Sequence, residues 1–366
     1  MRALAVVLLA LGVAAPGCRR VRPATTALPC THVQATREVR GLALCEDVWT
    51  CARPPDGPFD RVALRRIAAC AGGAGPLLLY LPGMHMTSEV PTTDARADLR
   101  LYLAQTGLRT WGLDYRTHAV PPDASPADLQ ALDRWTADVF AADVRWAMAF
   151  IRAAEPGPIV LAGFSFGGAL AYRVASKERP AALVVLDATA GGRHEPPGSG
   201  PALDVASTRL PWPLRRALLT AVIADPTGPS PLPGYASAGA ALADVLWTSQ
   251  SFGGQGGLSA ARDGMSDPQL LARLLASEDR WWPRAVLTAK PPRPPRSPLP
   301  VLAFASTRMG PQWVEEVRAA ARAWGGPRAQ VRELPGYGHL DVLVGRSAAR
   351  DVFEPVRAWL ATAPAD

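Results

Sequence analysis

The chain of 366 residues predicts an α/β protein, a mostly parallel sheet flanked by helices, with a helical insertion. Three observations predict it. Short, continuously apolar runs of strand length recur from Pro76 onward, the pattern of strands buried on both faces. Stretches with apolar residues at helical spacing alternate with them. A segment dense in Gly and Pro, residues 193–298, interrupts the alternation, which resumes after it. The composition, 48% hydrophobic and 19% charged, is that of a chain able to build a sizeable core.

The N-terminus reads as a targeting segment, residues 1–17. Arg2 precedes an uncharged run from Ala3 to Ala15, too short for a membrane span. The run ends in Ala15-Pro16-Gly17-Cys18, which resembles a bacterial lipoprotein processing site. That resemblance implies that Cys18 is acylated and anchors the mature chain to the cell envelope. The alternative is an ordinary cleaved signal with Cys18 incidental. Residues 18–35 are expected to be a tether, 36–192 and 299–366 the core, and 193–298 a cap or lid. Cys30, Cys45, Cys51 and Cys70 all precede the first core strand. An even number in an exported chain makes two disulfides the expectation, with three pairings open.

Within the core, Asp47–Ala52 and Arg61–Ala68 are candidate strands around the turn-rich Arg53–Pro58. Leu77–Pro82 and Leu108–Asp114 follow, then a helix with Phe140, Val144, Ala147 and Ile151 on one face. Ile159–Gly163 is the next strand, followed by an Ala-rich helix to about Glu178 and the strand Ala182–Asp187. The insertion holds amphipathic stretches at Leu214–Ile223, Ala238–Leu246 and Gln269–Leu275, and ends in the Pro-rich connector Lys290–Pro300. Pro300–Phe304 is a strand and Gln312–Trp324 a helix with Trp313, Val317, Ala320 and Trp324 on one face. Gln330–Leu334 and a closing helix from Ala348 to Leu360 complete the set.

Chemistry concentrates at Gly163-Phe164-Ser165-Phe166-Gly167. A serine between two glycines, after a strand and before a helix, sits on a turn tight enough to strain its backbone. Its hydroxyl is thereby thrust out at the carboxyl edge of the sheet. This motif, the element order and a late histidine are similar to the α/β-hydrolase superfamily, over roughly residues 76–192 and 299–362.

The resemblance implies Ser165 as nucleophile and a base later in the chain. His339, in Gly336-Tyr337-Gly338-His339 after the last strand, is the candidate, with His194 as understudy. The superfamily's usual acid position, after the strand ending near Phe304, holds Arg308 instead. A minority places the acid one strand earlier, where Asp187 stands; Asp341, Glu315 and Glu316 are the alternatives. Oxyanion donors are expected from the backbone N–H groups of Phe166 and of Met84, with His85 beside the latter.

Trp247, Phe252, Trp281 and Trp282 in the insertion either cover the serine with apolar surface or merely dock the insertion. The function expected is an exported serine hydrolase acting on a carboxylic ester, a small-molecule substrate with a hydrophobic or acyl part. An acyltransferase, an amidase, or a non-catalytic binding module of the same fold are the alternatives. Haloalkane or epoxide chemistry is disfavoured because those relatives carry Asp where Ser165 stands. The sequence has no phosphate loop, dinucleotide fingerprint or metal-ligand cluster, so no cofactor and no metal is implied. Lysine occurs only at 177 and 290 and the arginines are dispersed, so the net charge of +7 forms no nucleic-acid surface. The membrane is met only through the lipid anchor.

Overall fold

The computed structural model describes residues 30–39, 42–92, 94–192, 199–205, 210–249 and 255–362. Eleven strands occur among them: β1 (Cys30–Val39), β2 (Leu42–Ala52), β3 (Arg61–Ala69), β4 (Leu77–Leu81), β5 (Arg109–Asp114), β6 (Ile159–Phe164), β7 (Ala182–Leu186), β8 (Ala202–Asp204), β9 (Trp281–Pro283), β10 (Val301–Ser306) and β11 (Ala329–Leu334). The longer helices are α1 (Leu99–Gln105), α2 (Ala137–Ala154), α3 (Phe166–Ala175), α4 (Trp212–Ala224), α5 (Ala238–Trp247), α6 (Pro268–Ala276), α7 (Pro311–Gly325) and α8 (Glu354–Thr362).

Nine strands form one sheet in the order β1-β2-β3-β5-β4-β6-β7-β10-β11. From β5 to β11 every pairing is parallel, while β1, β2 and β3 join antiparallel at one side. The parallel strands are fully buried from β4 through β10 because helices cover both faces, which is why their sequences are unbroken apolar runs. Side chains alternate between the faces. Leu77, Leu79 and Leu81 of β4 pack with Phe140, Val144 and Ile151 of α2 and with Leu170 of α3. Leu78 and Tyr80 point the other way, into a cluster with Leu99 and Leu103 of α1 and Val356 of α8. Residues Leu218 and Val222 of α4 and Leu271 of α6, from the insertion, belong to that second cluster.

The tether expectation needs correcting at its end, since residues from Cys30 belong to β1. The backbone of β1 pairs along its length with β2, and Cys30 faces Cys51 in register. The side chains of Thr31–Thr36 are exposed, so no apolar alternation announces the strand. Disulfides join Cys30 to Cys51 and Cys45 to Cys70, which selects one of the three pairings. Two disulfides fit an extracellular or periplasmic setting. Among the described residues no helix is long and apolar enough to cross a membrane. The targeting segment and Cys18 lie outside the described residues.

Candidate active site

The turn at Ser165 has the strain its sequence demands. Ser165 adopts φ 52°, ψ −121°, a conformation that L-residues with a side chain rarely hold. Two glycines make it possible. A Cβ on Gly163 would lie 2.3 Å from the carbonyl oxygen of Gly167, and one on Gly167 would lie 2.0 Å from that of Leu81. Strand β6 and helix α3 therefore approach backbone to backbone. The Ser165 N–H is held by the Leu186 carbonyl at 3.0 Å, and the hydroxyl-bearing residue borders a cavity at the carboxyl ends of the strands.

His339 borders the same cavity, at the end of a loop beyond β11 that turns at Gly336, φ 78°. It is 3% exposed, and its ring lies against Phe164 at 4.7 Å between centroids. The loop is braced by the insertion. The N–H groups of His339 and Leu340 donate to Gly257 and Leu258 carbonyls, both at 2.8 Å. Asp341, two residues on, accepts from the Ser259 and Ser266 hydroxyls, each at 2.6 Å, and from the Ala260 N–H at 2.7 Å and the Gly338 N–H at 2.8 Å.

Asp187 ends the run that forms β7 and turns at φ 48°. Its N–H donates to Phe304 on β10, and its carboxylate, wholly buried, faces the imidazole. His339 Nδ1 donates to Oδ2 at 2.6 Å. The other oxygen, Oδ1, accepts from the Ser306 N–H at 2.7 Å and from Trp313 Nε1 at 2.9 Å. Sequence reasoning missed Trp313 as a site residue and assigned it to the apolar stripe of α7. The signal available was its indole N–H, which needs an acceptor when drawn into a core.

The other acid candidates are placed elsewhere. Arg308 stands after β10, as its sequence position requires, paired with Asp263 and lying over the Trp247 ring at 4.8 Å. Asp341 is engaged by its four donors. Glu315 pairs with Arg318, and Glu316 accepts from Gln312, both carboxylates exposed. His194 lies outside the described residues.

The proposed oxyanion groups also meet the cavity, with Gly83, Met84, His85 and Phe166 along its wall. Phe166 is the first residue of α3, where a backbone N–H has no acceptor within its own helix and the dipole favours negative charge. The loop after β4 is fixed at both ends. The Tyr115 hydroxyl donates to the Pro82 carbonyl at 2.9 Å. His85, at φ 67°, donates from Nδ1 to the Asp279 carbonyl at 2.8 Å and accepts from the Asp279 N–H at 2.6 Å. The Asp279 carboxylate in turn accepts from the Thr117 hydroxyl at 2.7 Å and from His118 Nδ1 at 3.1 Å. Burial raises the Asp279 pKa, and the bond to Asp279 raises that of His118.

The cavity measures about 480 Å³. Its wall is mainly apolar, with Leu203, Val205, Val286 and Leu287 supplied by the insertion. Among the described residues, the insertion's aromatics do not line it. Trp282 is fully buried beneath Phe166, Phe140 and Tyr115, and Trp281 donates to the Pro122 carbonyl. Trp247 stacks with Arg262 and Arg308. Of the two readings of these tryptophans, docking is the one the packing shows; Phe252 lies outside the described residues.

Fold and site together define an α/β-hydrolase-fold protein. The family model described as alpha/beta hydrolase fold matches residues 76–222. A crystal structure from Sulfolobus solfataricus, described as a "putative lipase", is 25% identical, with a TM-score of 0.72 over 91% of this chain and 99% of that one. An alpha/beta hydrolase fold protein from Nakamurella multipartita is 19% identical, with a TM-score of 0.54 over 86% of this chain and 98% of that one. No curated protein matches the chain.

Proposed function

We propose that the protein is an exported serine hydrolase that cleaves a carboxylic ester with a hydrophobic acyl or alcohol part. The observation that carries the reading is the bond from His339 Nδ1 to buried Asp187, on an imidazole that shares its cavity with strained Ser165. A carboxylate on Nδ1 fixes the tautomer in which Nε2 is unprotonated and can act as a base.

Ser165 Oγ attacks the ester carbonyl carbon as its proton passes to His339 Nε2. The Phe166 and Met84 N–H groups take the oxyanion. The carbon–alcohol bond then breaks, and the departing alkoxide takes the proton from His339. A water molecule, deprotonated by the same nitrogen, attacks the acyl-enzyme and releases the acid while Ser165 regains its proton. Asp187 orients the ring and stabilises the imidazolium without accepting a proton. The apolar cavity wall supports a hydrophobic substrate.

The non-catalytic alternative drew on the missing acid after β10, and the bond from His339 to Asp187, just after β7, weighs against it. Acyl transfer uses the same groups, and adding an alcohol acceptor during turnover separates it from hydrolysis through the ester product. The two disulfides support export, and the segment before Cys18 is the sequence basis for a lipid anchor there. Kinetics on p-nitrophenyl acyl esters test the catalytic assignment. Ser165→Ala and His339→Ala are expected to abolish turnover, and Asp187→Asn to lower kcat by about 10⁴-fold through the wrong tautomer. A wild-type protein inert toward such esters would argue against the proposal.

A further inference from the structure

We propose that Trp313 is a positioning residue for the reaction: its indole N–H fixes the Asp187 carboxylate and holds part of its negative charge away from His339. The proposal rests on the Ser165, His339 and Asp187 reading. A carboxylate this deeply buried needs donors for each oxygen, and here they divide unequally. Oδ2 meets the imidazole, while Oδ1 holds both the Ser306 N–H and the Trp313 indole.

The torsion that rotates a carboxylate about its Cβ–Cγ bond is soft, so one donor on Oδ1 with the imidazole on Oδ2 holds the plane loosely. Two donors from different elements, the end of β10 and the first turn of α7, fix it with Oδ2 aimed at Nδ1. The same indole meets the His339 ring edge-on, at 85° and 6.1 Å between centroids. Packing alone does not account for this residue. Val317, Ala320 and Trp324 of the same stripe are buried in the core, whereas Trp313 is half-buried and borders the cavity. A phenyl ring would fill that space without placing a donor on the acid.

The second consequence is electronic. A donor on Oδ1 stabilises the ionised carboxylate and weakens Oδ2 as an acceptor, so removing it strengthens the bond to His339 while loosening its geometry. Trp313 replaced by benzothienylalanine, which substitutes sulfur for the N–H and keeps the ring shape, isolates the donor. Trp313→Phe is the genetically encoded companion. With p-nitrophenyl butyrate as substrate, kcat of the isostere is expected to fall about tenfold with KM unchanged. The low-field proton resonance of the His339 Nδ1–H is expected to move further downfield. An isostere with wild-type kcat and an unmoved resonance overturns the proposal, even where Trp313→Phe is impaired by lost packing. Ser165→Ala, measured beside it, separates the two levels: retained turnover in that variant overturns the triad reading together with this inference.

Discussion

Ser165 and Asp187 share an unusual property, a left-handed backbone at a residue with a side chain, and both lie at carboxyl ends of adjacent parallel strands. Each conformation costs on the order of 1–3 kcal/mol and persists because neighbours over-determine it. At Ser165 those neighbours are glycines, so their replacement transmits directly to the serine. Gly167→Ala would force a methyl group to within 2.0 Å of the Leu81 carbonyl, a backbone atom that cannot step aside. The expected result is a loss of several kcal/mol, on the order of 4, seen as a much lower urea midpoint or failure to accumulate folded protein. A Gly167→Ala protein with wild-type stability would mean that β4 and α3 are not in such close contact. The strained turn at Ser165 was legible in the sequence because its physical demand is local: glycine, serine, glycine at fixed spacing. Trp313 was not, because nothing near it in the chain announces an acceptor 126 residues away.

Hydrogen bonds to the insertion brace the two loops that flank Ser165 in the cavity. One brace runs from residues 257–266 to the His339 loop, and the other is the pair of bonds between His85 and Asp279 beside the proposed oxyanion donor. The insertion thus supports the His339 loop and the loop after β4 as well as walling the cavity. Asp341→Asn removes the charge that gathers four donors, and is expected to lower kcat by roughly tenfold through a misplaced imidazole, with Ser165 still open to a phosphonylating probe. The His118 bond to Asp279 adds a pH dependence. The raised His118 pKa means its contribution is fully present below the unfolded value, about 6.5, and is lost as pH rises through the folded one. Because His118 is half-exposed the effect is about 0.5 kcal/mol. Melting of wild type and His118→Gln should differ most near pH 6 and converge by about pH 9. A difference that grew with pH would contradict the assignment.

Across the whole molecule, legibility followed burial. The parallel strands β4, β6, β7 and β10 are covered on both faces, so continuous apolar runs placed them within a residue or two. Strand β1 lies at the sheet edge, and its exposed Thr and His side chains resemble a linker. The three-residue strands β8 and β9 are too short for any periodicity to appear. The even cysteine count foretold two bridges, but their pairing depended on β1 being a strand. The bridges close loops of 21 and 25 residues, each expected to stabilise the fold by roughly 3 kcal/mol on a chain-entropy account. One joins β1 to β2 and the other joins β2 to the residue after β3, on the antiparallel side of the sheet away from β6 and β7. Reduction should therefore lower the melting temperature while leaving the turnover rate at 25 °C nearly unchanged. The proposed triad of positions 165, 187 and 339 has a chemical test as its most direct one. After exposure to a fluorophosphonate, peptide mapping is expected to find one adduct, on Ser165, formed far more slowly in His339→Ala and Asp187→Asn. An unlabelled wild type, or an adduct on any other residue that forms equally well in Ser165→Ala, would contradict the account.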